Sequence, residues 1–142
     1  MFSNGLGKGL GRQLILRKNI FVEKLLPSGV NRKERLTSEV MAAYRGPYPT
    51  PIDREPTAVF PREILGSIGY LAEVYEGLGR LADKPVQILW GNKDAVFGKR
   101  ELNRWKEIFP QARVRILDGA NHFIQEDAPE AIVEEVNAFI GR

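Results

Sequence analysis

Hydrophobic residues recur along this chain in two different rhythms. From Gln13 to Leu26, the residues Leu14, Ile15, Phe21, Val22, Leu25 and Leu26 return at near-helical spacing, and Pro27-Ser28-Gly29 closes the segment. Ahead of it, Gly5, Gly7, Gly9 and Gly11 carry a high entropic cost in a helix and predict a flexible lead-in over residues 1–11. That run follows no predicted strand and fits neither GxGxxG nor the P-loop pattern, so it is no phosphate cradle. A second, short helix is predicted from Thr37 or Ser38 to Tyr44, ended by Gly46-Pro47. Pro47, Pro49, Pro51 and Pro56 then forbid regular helix or central strand and predict a stiff, extended surface segment over 46–56. Residues 62–83 read as helical with interruptions at Gly66, Gly69, Gly77 and Gly79, as two helices meeting near Gly66 to Gly69.

After Pro85 the rhythm changes. Val86-Gln87-Ile88-Leu89-Trp90 is a nearly continuous apolar run, the pattern of a strand buried on both faces of a parallel sheet. Gly91-Asn92-Lys93-Asp94 breaks it, and a helix of about ten residues leads to Phe109 with Leu102, Trp105, Ile108 and Phe109 on one side. Arg113 to Leu117 is a second strand and Asp118 to His122 a loop. Ala128 to Ile140 is a final amphipathic helix, with Asp127 as its N-cap and Pro129 in its first turn. Strand, loop, helix, strand, loop, helix predicts an α/β fold with a parallel sheet, whose functional groups gather in loops beyond the carboxyl ends of the strands.

With 43% hydrophobic and 27% charged residues among 142, the composition is that of a globular chain, not a disordered one. The net charge of +3 is modest. Basic residues outnumber acids only near the start, where a solvated basic helix is expected rather than a nucleic-acid interface. The absence of cysteine excludes disulfides, thiolate zinc sites and a cysteine nucleophile, and the single histidine excludes HExxH and multi-histidine metal sites. Neither metal nor cofactor is expected. No apolar stretch approaches the roughly 18 residues a bilayer requires, and Leu14-Ile15-Leu16 is too short for a signal-peptide core, so a cytoplasmic location is expected.

The candidate chemistry lies at the two predicted strand ends. Asp94 and His122 are 28 residues apart, about one strand–helix unit, which places their loops side by side. An aspartate that accepts the Nδ1 proton of a histidine fixes the tautomer and leaves Nε2 to take a proton from water or a nucleophile. Gly91 and Gly119 permit sharp turns after each strand. The rival readings are a turn or N-cap role for Asp94 and a structural histidine. Glu126 and Asp127 read as cap and surface charges, Trp90 and Trp105 as core residues, and Tyr44 and Tyr48 as pocket-lining or packing residues. No nucleophile emerges. Of Ser3, Ser28, Ser38 and Ser67, the one flanked by glycines, in Leu65-Gly66-Ser67-Ile68-Gly69, misses GxSxG; Asp53 and Asp83 lack the strand–turn–helix setting of an elbow.

Leu89-Trp90-Gly91-Asn92-Lys93-Asp94 and Gly119-Ala120-Asn121-His122-Phe123-Ile124-Gln125-Glu126-Asp127-Ala128-Pro129 resemble the acid and histidine loops of α/β-hydrolases, the latter most nearly those of the haloalkane dehalogenases. Ala43-Tyr44-Arg45-Gly46-Pro47-Tyr48-Pro49 and Phe60-Pro61-Arg62-Glu63 resemble that group's helical cap and its return to the main domain. The resemblance runs from about residue 12 to the end. It implies a cap-like segment over 1–60 and the C-terminal part of the hydrolase core over 61–142, with Asp94 as triad acid and His122 as base in hydrolysing a covalent alkyl-enzyme ester. The nucleophile elbow, oxyanion loop and halide-binding groups of that family would precede the cap. The chain alone is therefore expected to be marginal in stability, completed by another polypeptide or a swapped homodimer, and to act on a small hydrophobic substrate only when completed. A non-catalytic remnant or interaction module, and part of an epoxide hydrolase or esterase, are the alternatives; the epoxide reading would draw on Tyr44, Tyr48, Tyr70 or Tyr75.

Overall fold

A computed structural model describes residues 9–141, and of the predicted lead-in only Gly9 to Gly11 fall within that range. The chain divides into two compact units. One runs up to Pro27 and resumes over Thr37–Gly77; the other takes Ser28–Leu36 and everything described from Leu78 onward.

In the first unit, helix α1 is Gly9–Lys18, so helix begins within the glycine-rich stretch rather than after it. Its buried Ile15 and Leu16 pack with Ala58, Ile20 joining them, and Arg12 chelates the Glu55 carboxylate at 2.6 and 2.7 Å. The single helix expected over 13–26 is interrupted. Asn19 takes a left-handed conformation (φ 49°), which asparagine tolerates better than most residues, and a π-helical turn, Phe21–Leu25, follows. Helix α2 is Ser38–Arg45, capped by the Thr37 hydroxyl, which accepts from the Val40 N–H at 3.3 Å.

The proline-rich stretch is not extended. It turns around the Arg54 guanidinium, which donates to the carbonyls of Tyr48, Pro49 and Leu16 at 2.8–2.9 Å. Helix α3, Glu55–Gly66, starts before the position expected from the sequence: Pro56 occupies its first turn, where a missing N–H costs nothing, and Pro61 is carried inside it. Helix α4, Ile68–Gly77, follows the break at Ser67.

In the second unit, strand β1 is Gln87–Gly91, helix α5 is Lys99–Ile108 and strand β2 is Arg113–Leu117. The strands pair in parallel, in register from Gln87 opposite Arg113 to Gly91 opposite Leu117. A one-turn helix, Ile124–Asp127, precedes the final helix α6, Pro129–Ile140, which ends at Gly141 in the left-handed conformation. Ile88, Phe109, Leu117 and Ala120 are buried, but the sheet faces are not covered as the apolar pattern predicts: Val114 is 36% and Ile116 43% exposed, as are Val133, Val136 and Ile140 of α6. Trp105, expected in the core, is exposed and stacks on Phe109. Trp90 is half-buried, its Nε1 donating to the Phe97 carbonyl. Among the described residues no helix is long and apolar enough to cross a membrane.

Candidate active site

Both strands end in loops that continue the ladder with side chains. At the carboxyl end of β1, the Asn92 N–H reaches the Leu117 carbonyl (3.2 Å) and the Lys93 N–H the Ala120 carbonyl (2.9 Å). The Asn92 side chain donates to Asp118 and accepts from the Gly119 N–H at 2.8 Å. The two loops touch at Gly91: a Cβ there would run into the Ala120 carbonyl oxygen and lie 2.6 Å from that of Asn121, so no larger residue fits. Gly119 turns the second loop with φ 76°, a conformation glycine adopts freely.

This framework sets Asp94 and His122 face to face. Oδ1 of Asp94 accepts the N–H groups of Val96 (2.7 Å) and Phe97 (2.8 Å), which fixes the carboxylate plane. Oδ2 lies 3.2 Å from Nδ1 of His122. The turn role and the acid role weighed from sequence thus coexist, one on each oxygen. The N-cap role does not hold, because α5 begins at Lys99 with Gly98 as its cap and Glu101 bonded back to the Gly98 N–H. The Asp94 side chain is 9% exposed and that of His122 29%, so the carboxylate is shielded while the imidazole keeps an open side. Phe97 and Phe123 flank the ring, with centroids 5.3 and 5.2 Å away. The Asn121 side-chain oxygen accepts the N–H groups of Ala95 and His122, stitching acid loop to histidine loop.

Asp127 requires a correction. It is neither a surface charge nor a cap of α6, whose N-cap is Ala128. Its carboxylate is 1% exposed. It accepts the N–H groups of Arg32 (2.7 Å), Asn121 (2.7 Å) and Asn31 (3.0 Å to each oxygen). Burial pushes its carboxyl pKa up, but the hydrogen bonds from Arg32, Asn121 and Asn31 outweigh it and hold the group below the ordinary aspartate value. Two of these donors lie 96 and 95 positions away, so nothing local in the sequence marks the role.

The other candidates have partners of their own. Ser67 donates to Glu63 at the α3–α4 junction. Asp53 closes a turn on the N–H and hydroxyl of Thr50, hydrogen bonds that lower its pKa, and Asp83 pairs with Lys84. Tyr48 lines a 580 Å³ cavity of the first unit with Arg17, Lys18, Asn19, Arg45 and Arg54. Among the described residues, no group of three or more His, Cys, Asp and Glu side chains is placed to hold a metal ion.

The family model of the alpha/beta hydrolase fold matches residues 8–129. Haloalkane dehalogenase 2 of Mycobacterium tuberculosis is 39% identical over 124 residues, covering 86% of this chain and 43% of that protein. A cis-3-alkyl-4-alkyloxetan-2-one decarboxylase of Xanthomonas campestris is 33% identical over 138 residues, covering 94% and 45%. The crystal structure of an ancestral haloalkane dehalogenase superposes with a TM-score of 0.86 at 32% identity, covering 99% of this chain and 50% of that one. The chain thus spans about half the length of the curated relatives it matches. Two parallel strands with their intervening and following helices, ending in these loops, are a partial α/β-hydrolase architecture, and this haloalkane dehalogenase-like chain belongs to the α/β-hydrolase fold family.

Proposed function

We propose that this chain is the acid-and-histidine portion of a haloalkane dehalogenase-type hydrolase, in which Asp94 is the triad acid and His122 the general base. The observation that carries the reading is the 3.2 Å approach of Asp94 Oδ2 to His122 Nδ1, made by a carboxylate whose other oxygen is already fixed by two main-chain N–H groups. Asp94 holds the proton on Nδ1, leaving the Nε2 lone pair free. Nε2 removes a proton from a water molecule as the water oxygen adds to the carbonyl of an alkyl-enzyme ester; on collapse the imidazolium returns that proton to the departing alkoxide, releasing the alcohol, and loss of the second water proton to solvent regenerates the nucleophilic carboxylate. The imidazolium formed in that step is stabilised by the Asp94 carboxylate.

The nucleophile is assigned to a segment outside these 142 residues, supplied with the rest of the sheet by a completing half. Residues 1–60 form the cap-like segment in this reading, a small hydrophobic haloalkane is the substrate, and the cytoplasm is the expected location. A second reading is favoured by one observation, the Xanthomonas relative named as an oxetan-2-one decarboxylase, which matches nearly the whole chain. Reconstitution separates them. Co-expressed with the N-terminal half of a haloalkane dehalogenase relative, the chain should release halide from haloalkanes continuously, and His122→Ala should limit that release to a single equivalent per complex. Turnover of a cis-3-alkyl-4-alkyloxetan-2-one without halide release would favour the second reading, and a folded complex with neither activity would leave a non-catalytic module.

A further inference from the structure

The histidine loop is held from a stretch that the reading above counts with the cap-like segment. Ser28–Leu36 belongs to the same compact unit as the two strands although it is remote from them in sequence. Four of its residues, Ser28, Gly29, Asn31 and Arg32, hold the loop. The Gly29 carbonyl accepts the Phe123 N–H at 3.0 Å, and Gly29 packs so closely that a Cβ would lie 2.7 Å from the Phe123 ring. The Asn31 side chain donates to the Gly119 carbonyl at 3.0 Å. The main-chain N–H groups of Asn31 and Arg32 meet the Asp127 carboxylate, which also receives the Asn121 N–H. The residues on both sides of His122 are therefore anchored to one segment, Phe123 directly and Asn121 both through Asp127, which holds its main-chain N–H, and through its side-chain amide, which donates to the Ser28 carbonyl at 3.5 Å.

A buried carboxylate is tolerated only when its lone pairs are occupied, and a carboxylate offers acceptors alone. Asp127 meets both conditions with main-chain donors from two segments, and Arg32 is the cation nearest in sequence to that contact. Among the described residues, the His122 ring meets the Asp94 carboxylate and has ring neighbours in Phe97 and Phe123, so its aim depends on where its backbone is held. We propose that Asp127 is a positioning residue for His122: by tying Asn121 to Asn31 and Arg32 it fixes the backbone from which the imidazole presents Nδ1 to Asp94. This rests on the reading of His122 as the base, but its test needs no activity.

His122 is the single histidine of the chain, so its ring nitrogens can be followed in the full ¹⁵N-labelled protein without ambiguity. At a pH where the ring is neutral, the wild-type chain should show one tautomer, protonated at Nδ1. Asp127→Asn keeps the side chain's size but turns an amino group toward one of the main-chain donors. A folded Asp127→Asn protein should show averaged ring-nitrogen shifts from two tautomers while the β1 and β2 amides keep their dispersion. Unchanged ring shifts in that folded variant would overturn the proposal, since a turn carboxylate of merely structural value would alter stability and leave the tautomer alone.

A second measurement on the wild-type chain covers the case in which the variant does not fold. The amides of Asn31, Arg32 and Asn121 should exchange with solvent as one opening unit, with protection factors agreeing within about threefold. Independent exchange of Asn121, or absence of protection at the three, would overturn it. Loss of sustained halide release in His122→Ala, combined with unmoved ring shifts in Asp127→Asn, would retain the hydrolase reading and remove this one; moved shifts with sustained release insensitive to His122→Ala would do the reverse.

Discussion

The second unit has two contrasting regions. At the carboxyl ends of β1 and β2, the carboxylates of Asp94 and Asp127 and the side chains of Asn92 and Asn121 all find hydrogen-bond partners within the chain. Along the strands themselves, Val114 and Ile116 face solvent, and α6 exposes Val133, Val136 and Ile140. Main-chain groups in a turn can be satisfied by side chains a few ångströms away, whereas an apolar face needs a second layer to bury it. The loops are thus locally complete and the sheet is not. A site of this kind keeps its geometry in half a fold, while the stability that holds the half together has to come from what covers the faces.

Removing the proposed base should have the largest effect. In the completed enzyme His122→Ala should lower halide release by about a thousandfold or more, the range general base catalysis supplies, measured as steady-state halide production. Within the loop region, Asp127→Ala takes the acceptor from the main-chain N–H groups of Asn31, Arg32 and Asn121 and should destabilise the unit by about 3 kcal/mol. Urea unfolding followed by the fluorescence of Trp90 and Trp105, both in this unit, reads it. Gly91→Ala forces a Cβ onto the Ala120 carbonyl and should cost about 2 kcal/mol by the same assay.

Acid should act in the same direction as Asp127→Ala but more weakly, because a protonated carboxyl still accepts. The folded pKa of Asp127 lies below its ordinary value, so the unfolded chain binds the proton first. Its contribution is therefore whole above the ordinary carboxyl range, near pH 4, and is lost as the pH falls through the folded value. The urea midpoint of Asp127→Asn should fall less steeply on acidification than that of the wild type. The smallest effect belongs to the bare face: Ile116→Thr should change the stability of the chain alone by no more than about 0.5 kcal/mol, yet weaken assembly with a completing half.

The strands and the pair at their ends were legible because the apolar runs are short, bounded by proline and glycine, and followed by turn residues. Arg113–Leu117 falls where its pattern puts it, and Gln87–Gly91 is displaced by one position. The helical half was less legible. Pro56 read as a breaker, yet it sits in the first turn of α3, and Pro61 lies within that helix. Asn19 gave no warning of a left-handed break, because asparagine is common in uninterrupted patterns as well. Asp127 sits where an N-cap belongs, and a carboxylate whose partners lie some ninety positions upstream leaves no local periodicity to read.

The central claim is that His122 acts on the second half of a two-step reaction, on the ester rather than on its formation. Mass spectrometry of the completing half after incubation with a haloalkane tests it directly. With His122→Ala, an alkyl adduct should accumulate on that half's nucleophilic carboxylate while the wild-type pair shows none at steady state; continued turnover by the variant, or a folded variant complex that neither turns over nor accumulates adduct, would contradict the account.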